Sequence, residues 1–100
     1  ILELWNTPED PDLSIARVRL PAGRQTRPHI LEGITERYVI LEGTGEVRVG
    51  AQDPRPVLPG DVIVFPPGTR QTIGNTGSSD LVFHALCTPR FVEGAYREVE

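Results

Sequence analysis

One cysteine, Cys87, is all that this 100-residue chain carries, so no internal disulfide framework can form. It lies in "LVFHALCT", an apolar strand-like stretch where a free thiol is expected to act as a small buried hydrophobe, not a nucleophile. Such usage fits a reducing, cytoplasmic compartment. Long apolar runs are missing too: nothing approaches the ~18 residues that a membrane span requires. The chain opens on Ile1 rather than Met, and no secretory leader is visible. Runs of Lys or Arg are absent, and the formal net charge is −4, which disfavours nucleic acid and anionic membranes as partners. No window holds a helical period, because proline interrupts most candidates. Linkers, repeats and low-complexity segments are also lacking.

What is present suits a small globular unit. A chain of this size is expected to form one domain over residues 1–100, burying roughly two-thirds of the surface its unfolded form exposes. Hydrophobic residues make up 38% and charged residues 24%, enough for one core without disulfides. Ten glycines and ten prolines divide the chain into short runs rich in Val, Ile, Leu, Thr and Phe, at 13–20, 37–41, 45–49, 61–65, 70–73 and 81–87. Strands at that spacing predict an all-β sandwich or barrel. Alternation puts Val47 and Val49 on one face and Glu46 and Arg48 on the other. It likewise groups Glu36, Tyr38 and Ile40 against Arg37, Val39 and Leu41. "DPRP" (53–56) reads as a hairpin tip, and the tail "FVEGAYREVE" as an extra strand or a short external turn. Gly43 and Gly45 are expected to supply positive φ to a tight turn between 37–41 and 45–49.

Two stretches carry polar residues at defined spacing. The first runs Gly23, five residues, His29, one residue, Leu31, four residues, Glu36, six residues, Gly43. The second runs Gly60, five residues, Pro66, one residue, Gly68, two residues, Gln71, three residues, Asn75. Together they resemble the two sequence motifs of the cupin family, over residues 23 to 75. In that family the first motif holds a glycine, a His-x-His pair, a glutamate and a glycine. The second holds a glycine, a Pro-x-Gly turn, a histidine and an asparagine. The resemblance implies an antiparallel jelly-roll β-barrel, the double-stranded β-helix, with a metal held by three histidines and a glutamate.

Two of those four ligand positions are altered here. Leu31 stands where the family has its second histidine, and Gln71 where the second motif has its own. His29 takes the first position, because reading it as the second would require an acid at Gly33 or Ile34. The resemblance implies that His29, Glu36 and Gln71 converge on one cavity. They are candidate ligands for a divalent first-row transition metal such as zinc, nickel, iron or manganese. His84, the other histidine, lies on a strand that lines the barrel in this fold and is a candidate replacement ligand. The alternative is a metal-free cluster in which Glu36 accepts from His29 and Gln71. Tyr38, on the face of Glu36, and Arg27, beside His29, are candidate substrate-binding residues, with Thr26 and Arg70 flanking the ligand positions.

Three function classes follow from the resemblance. One is a metal-dependent oxygenase or isomerase acting on a small oxygenated or acidic molecule. Another is a non-catalytic small-molecule binding module, and the third a regulatory or structural barrel without metal. Apolar residues on both faces of 36–41, with Phe91, Val92 and Tyr96 in the tail, further predict a homodimer. The competing arrangement folds the tail back over Val39 and Leu41.

Overall fold

The computed structural model describes residues 1–100, and short strands account for nearly all of its regular structure. In chain order these are β1 (Leu2–Trp5), β2 (Ser14–Leu20), β3 (His29–Leu31), β4 (Thr35–Glu42), β5 (Gly45–Val49), β6 (Arg55–Val57), β7 (Val62–Phe65), β8 (Gln71–Asn75), β9 (Leu81–Thr88) and β10 (Tyr96–Glu98). A single 3-10 turn, Glu93–Ala95, precedes β10. No helix is long and apolar enough to cross a membrane.

The strands form two five-stranded antiparallel sheets, ordered β1-β2-β9-β4-β7 and β10-β3-β8-β5-β6. Apart from the β1–β2 and β5–β6 pairs, sequence neighbours are split between the sheets, which is the jelly-roll arrangement that the motif resemblance implies. Between the sheets lies a core of Phe65, Phe83, Ile40, Ile63, Ile73 and Val47, all nearly inaccessible to solvent. The strict alternation of β5 buries Val47 and Val49 and exposes Glu46 and Arg48.

Several strands escape the sequence reading. β1 is exposed along its whole length, and β3 and β6 have only three residues each, too few to show a period. "DPRP" is only partly a tip: Arg55 and Pro56 already belong to β6, an edge strand, where proline's missing N–H breaks no ladder. The tail does form a strand. β10 pairs with β3, setting Tyr96 against Leu31 and Glu98 against His29. It therefore extends the second sheet and does not cover Val39 and Leu41.

Gly43 and Gly45 serve different needs. Gly43 has φ +83°, and a Cβ there would collide with the Asp80 carbonyl. Gly45 lacks the positive φ expected of it. Its requirement is space, since a Cβ would come within 2.6 Å of the Gly74 carbonyl oxygen and 2.8 Å of the Leu81 side chain.

Candidate functional site

The cavity is assembled by register. β4 presents Glu36, Tyr38 and Ile40 inward, with Glu36 opposite Phe65 on one side and Cys87 on the other. β3 and β8 meet at the single pair His29–Gln71, so those two side chains come from the opposing sheet. The cavity between the sheets has a volume of about 380 Å³. Apolar side chains dominate its walls, among them Val18, Leu31, Phe83, Ala85 and Phe91, while His29, Glu36, Tyr38, Cys87 and Arg27 also reach it.

Glu36 is the buried carboxyl of this cavity, only 8% exposed. Cys87 Sγ donates to its Oε2 at 3.3 Å, and Tyr38 and Gln71 also lie within hydrogen-bonding reach. Burial raises its pKa above the ordinary carboxylate value, and these hydrogen bonds oppose the rise without cancelling it. Burial, reinforced by the Glu36 charge, pushes the Cys87 thiol up to about 12. The same two causes hold the Tyr38 phenol well above its usual value. Cys87 and Tyr38 are thus neutral hydrogen-bonding groups around one carboxyl.

His29 does not bond Glu36 as it would in the metal-free cluster that stood as the alternative to a metal site. Its Nδ1 lies 2.9 Å from the Arg27 carbonyl oxygen, which can only accept, so Nδ1 is the donor of this contact. The ring stacks on Tyr96 of β10 at 5.0 Å between centroids. Gln71 is 1% exposed and does not line the cavity; its Oε1 accepts from the Tyr38 hydroxyl at 3.0 Å. Tyr38 is packed between Phe65 and Phe83, with centroids at 4.8 and 4.4 Å.

His84 is a correction. Phe83, Ala85 and Cys87 of β9 face the cavity, so alternation turns His84 to the outer face, beside Val39 and Arg17. Arg70 is a second correction: it lines a separate polar basin, while Arg27 and Thr26 do border the cavity. Cys87 and Tyr96 are contacts that sequence reasoning missed. Cys87 shares the parity of Phe83 and Ala85, but only the β4–β9 register reveals that it meets Glu36.

The residues present fit a tightly held metal ion poorly. No three His, Cys, Asp or Glu side chains come together. Leu31 contributes a hydrocarbon wall, and the Gln71 oxygen is occupied by Tyr38. Of the four donors that the motif calls for, His29 and Glu36 remain.

Comparison with known proteins agrees with this architecture. The family model of the cupin domain matches residues 16–88. A Thermotoga maritima protein named oxalate-binding protein is 39% identical over 71 residues, which is 71% of this chain and 58% of that protein's length. The crystal structure of a predicted oxalate decarboxylase, also from Thermotoga maritima, superposes with a TM-score of 0.72 at 36% identity, covering 76% of this chain and 65% of that one. An uncharacterised conserved protein with a double-stranded β-helix domain from Klebsiella pneumoniae reaches 0.85 at 16% identity over 98% of this chain and 81% of its own, a likeness of fold alone. With the family match covering most of the chain and both sheets in place, this protein belongs to the cupin family.

Proposed function

We propose that this chain is a non-catalytic small-molecule-binding cupin, whose cavity takes a compact acid with an apolar body and reads its polar end through Glu36 and His29. The observation that carries this reading is the cavity itself: about 380 Å³, walled mostly by hydrocarbon, with one buried carboxyl. A carboxyl whose pKa is raised keeps its proton to higher pH and can donate it to an oxygen of the ligand. Arg27 stands beside the same cavity as a source of positive charge. The name of the Thermotoga maritima relative supports small carboxylic acids as the ligand class. Oxalate itself is a bare dianion with no apolar part, and it suits these walls less well than an acid with a hydrocarbon body.

The metal-dependent oxygenase or isomerase implied by the family motif needs more donors than His29 and Glu36 supply. A thermal-shift titration with isobutyrate, benzoate and oxalate tests the binding reading. Isobutyrate or benzoate should raise Tm more than oxalate, and more at pH 5 than at pH 8. Stabilisation by oxalate alone, dependent on added divalent metal, would reject it in favour of the metal site.

We assign the outer face of the first sheet to a second copy of the chain. Two cross-strand rows run over that face, Val64–Arg37–Leu86–Ile15–Trp5 and Val62–Val39–His84–Arg17–Leu2. Their apolar ends are the exposed ones: Val62 and Val64 on β7, Leu2 and Trp5 on β1. A two-fold axis running along β9 would lay the β7 valines of each copy over Leu2 and Trp5 of the other.

A further inference from the structure

We propose a second ligand site, for a phosphate ester bearing hydroxyl groups, in the polar basin on the outer face of the second sheet. The basin has a volume of about 590 Å³, and no hydrophobic residue lines it. It is separate from the barrel cavity and does not depend on the function proposed for that cavity. Its floor comes from the outward positions of β8, Thr72 and Gly74, which alternate with the inward Gln71 and Ile73. Arg48 and Glu46 rise from β5, directly across from Thr72 and Gly74. Arg24 and Gln25 form the opposite wall, where Gln25 bridges to Gly74. Arg70 and Glu100 close one end, with Arg70 Nε donating to the Glu100 carbonyl oxygen at 3.0 Å.

The charge distribution points to an anion there. In a molecule of net charge −4, three arginines surround one basin. The ion pairs of the chain are Arg19–Asp80, Arg27–Glu98 and Arg97–Glu32, so none of the three is paired with a carboxylate side chain. Arg24 and Arg48 face the basin, and Arg70 is positioned at its end by the Glu100 main-chain oxygen. Thr72 lies on the basin floor, where its hydroxyl is open to a partner in the basin. Guanidinium groups bind phosphate oxygens through charge-assisted hydrogen bonds, and a threonine hydroxyl completes such a set. Glu46 and Glu100 repel a bare anion but accept from hydroxyls, which favours a phosphate carried on a hydroxylated body over free phosphate.

The test is calorimetric titration at low, matched ionic strength with inorganic phosphate, glycerol 3-phosphate and glycerol. Glycerol 3-phosphate should bind saturably and more tightly than inorganic phosphate, and glycerol should not bind. Arg48→Gln should weaken glycerol 3-phosphate about tenfold or more. Gly74→Val provides a control against misfolding. A Cβ at Gly74 meets nothing closer than Gln25 at 3.7 Å, and Gly74 has no positive φ, so the added side chain fills the basin floor without backbone strain. That variant should lose binding while keeping the wild-type Tm. Glu36→Gln, in the barrel, should leave glycerol 3-phosphate affinity unchanged. Absence of saturable binding, or equal affinity in wild type, Arg48→Gln and Gly74→Val, would overturn the site. Equal affinity for inorganic phosphate and glycerol 3-phosphate would overturn the role given to the two glutamates.

Discussion

Cys87 and Glu36 face each other across the β4–β9 pair, and the thiol donates to the carboxylate at 3.3 Å. Register creates this contact: 51 residues separate the two in sequence. It joins the chain's one cysteine to the buried acid of the cavity, and both groups titrate away from their usual values for the same first reason, desolvation.

The first prediction concerns pH and stability. The folded-state pKa of Glu36 is raised above its unfolded value. Below the ordinary carboxylate range both states hold the proton, and the contribution of Glu36 to stability is fully present. As pH rises the unfolded chain releases the proton first, so stability falls through the window that ends at the raised pKa. Glu36→Gln should flatten that slope and exceed wild type at pH 7, with Tm rising about 4–8 °C per kcal/mol of charge burial relieved. Denaturant melts from pH 4 to 8 measure this. A wild-type stability that climbs through the window would show that hydrogen bonding, not burial, dominates at Glu36.

Cys87 should be unreactive in the native protein. With its pKa near 12 the thiolate fraction at pH 8 is negligible, and the side chain is buried. Iodoacetamide should leave the folded chain unmodified over hours and label it rapidly in guanidinium chloride. Mass spectrometry reads both states, and prompt native labelling would mean that the cavity opens widely enough to expose Sγ.

The barrel and the identity of the cavity acid were legible in the sequence for a physical reason. Gly43, Gly60, Pro66 and Gly68 shape turns whose spacing the fold dictates, and Glu36 stands at a fixed offset between them. Contacts that depend on register were not legible. A strand's parity tells which residues share a face but not which face is inward, so His84 stayed open until Phe83, Ala85 and Cys87 were seen to line the cavity. Arg70 was misplaced beside Arg27 because closeness to a ligand position in sequence says nothing about the side of the sheet. The strand at Tyr96–Glu98 has three residues and no pattern, yet it sets the ring that stacks on His29.

Restoring a histidine at position 31 should create metal affinity. Leu31 lines the cavity and is 2% exposed, so a side chain there shares space with His29 and Glu36. Without metal, Leu31→His should destabilise by roughly 1.5–3 kcal/mol, the burial lost with leucine. Zinc at about 100 times its Kd should return about 2.7 kcal/mol by mass action. Wild type should show a smaller zinc-dependent shift in Tm. Equal shifts in both proteins would mean that position 31 does not reach the donors.

Assembly provides the last prediction. Val62 is 57% exposed and Val64 46% on β7, while Leu2 is 60% and Trp5 49% on β1. The tail cannot cover them, because β10 is committed to β3 in the other sheet. Exposed apolar surface on both edge strands of one sheet face marks an interface, and a stable dimer buries about 800 Å² per partner. Light scattering at micromolar concentration should give twice the 11.0 kDa of one chain. Val62→Glu should halve that mass without unfolding the barrel, since its side chain points away from the core. Trp5 supplies an independent reading: its fluorescence should shift to the red in Val62→Glu, because the partner's β7 no longer covers it. A mass near 11.0 kDa for wild type across a wide dilution range would leave this face to solvent and reject the dimer. A dimer that survives Val62→Glu with unchanged Trp5 emission would place the interface elsewhere on the barrel.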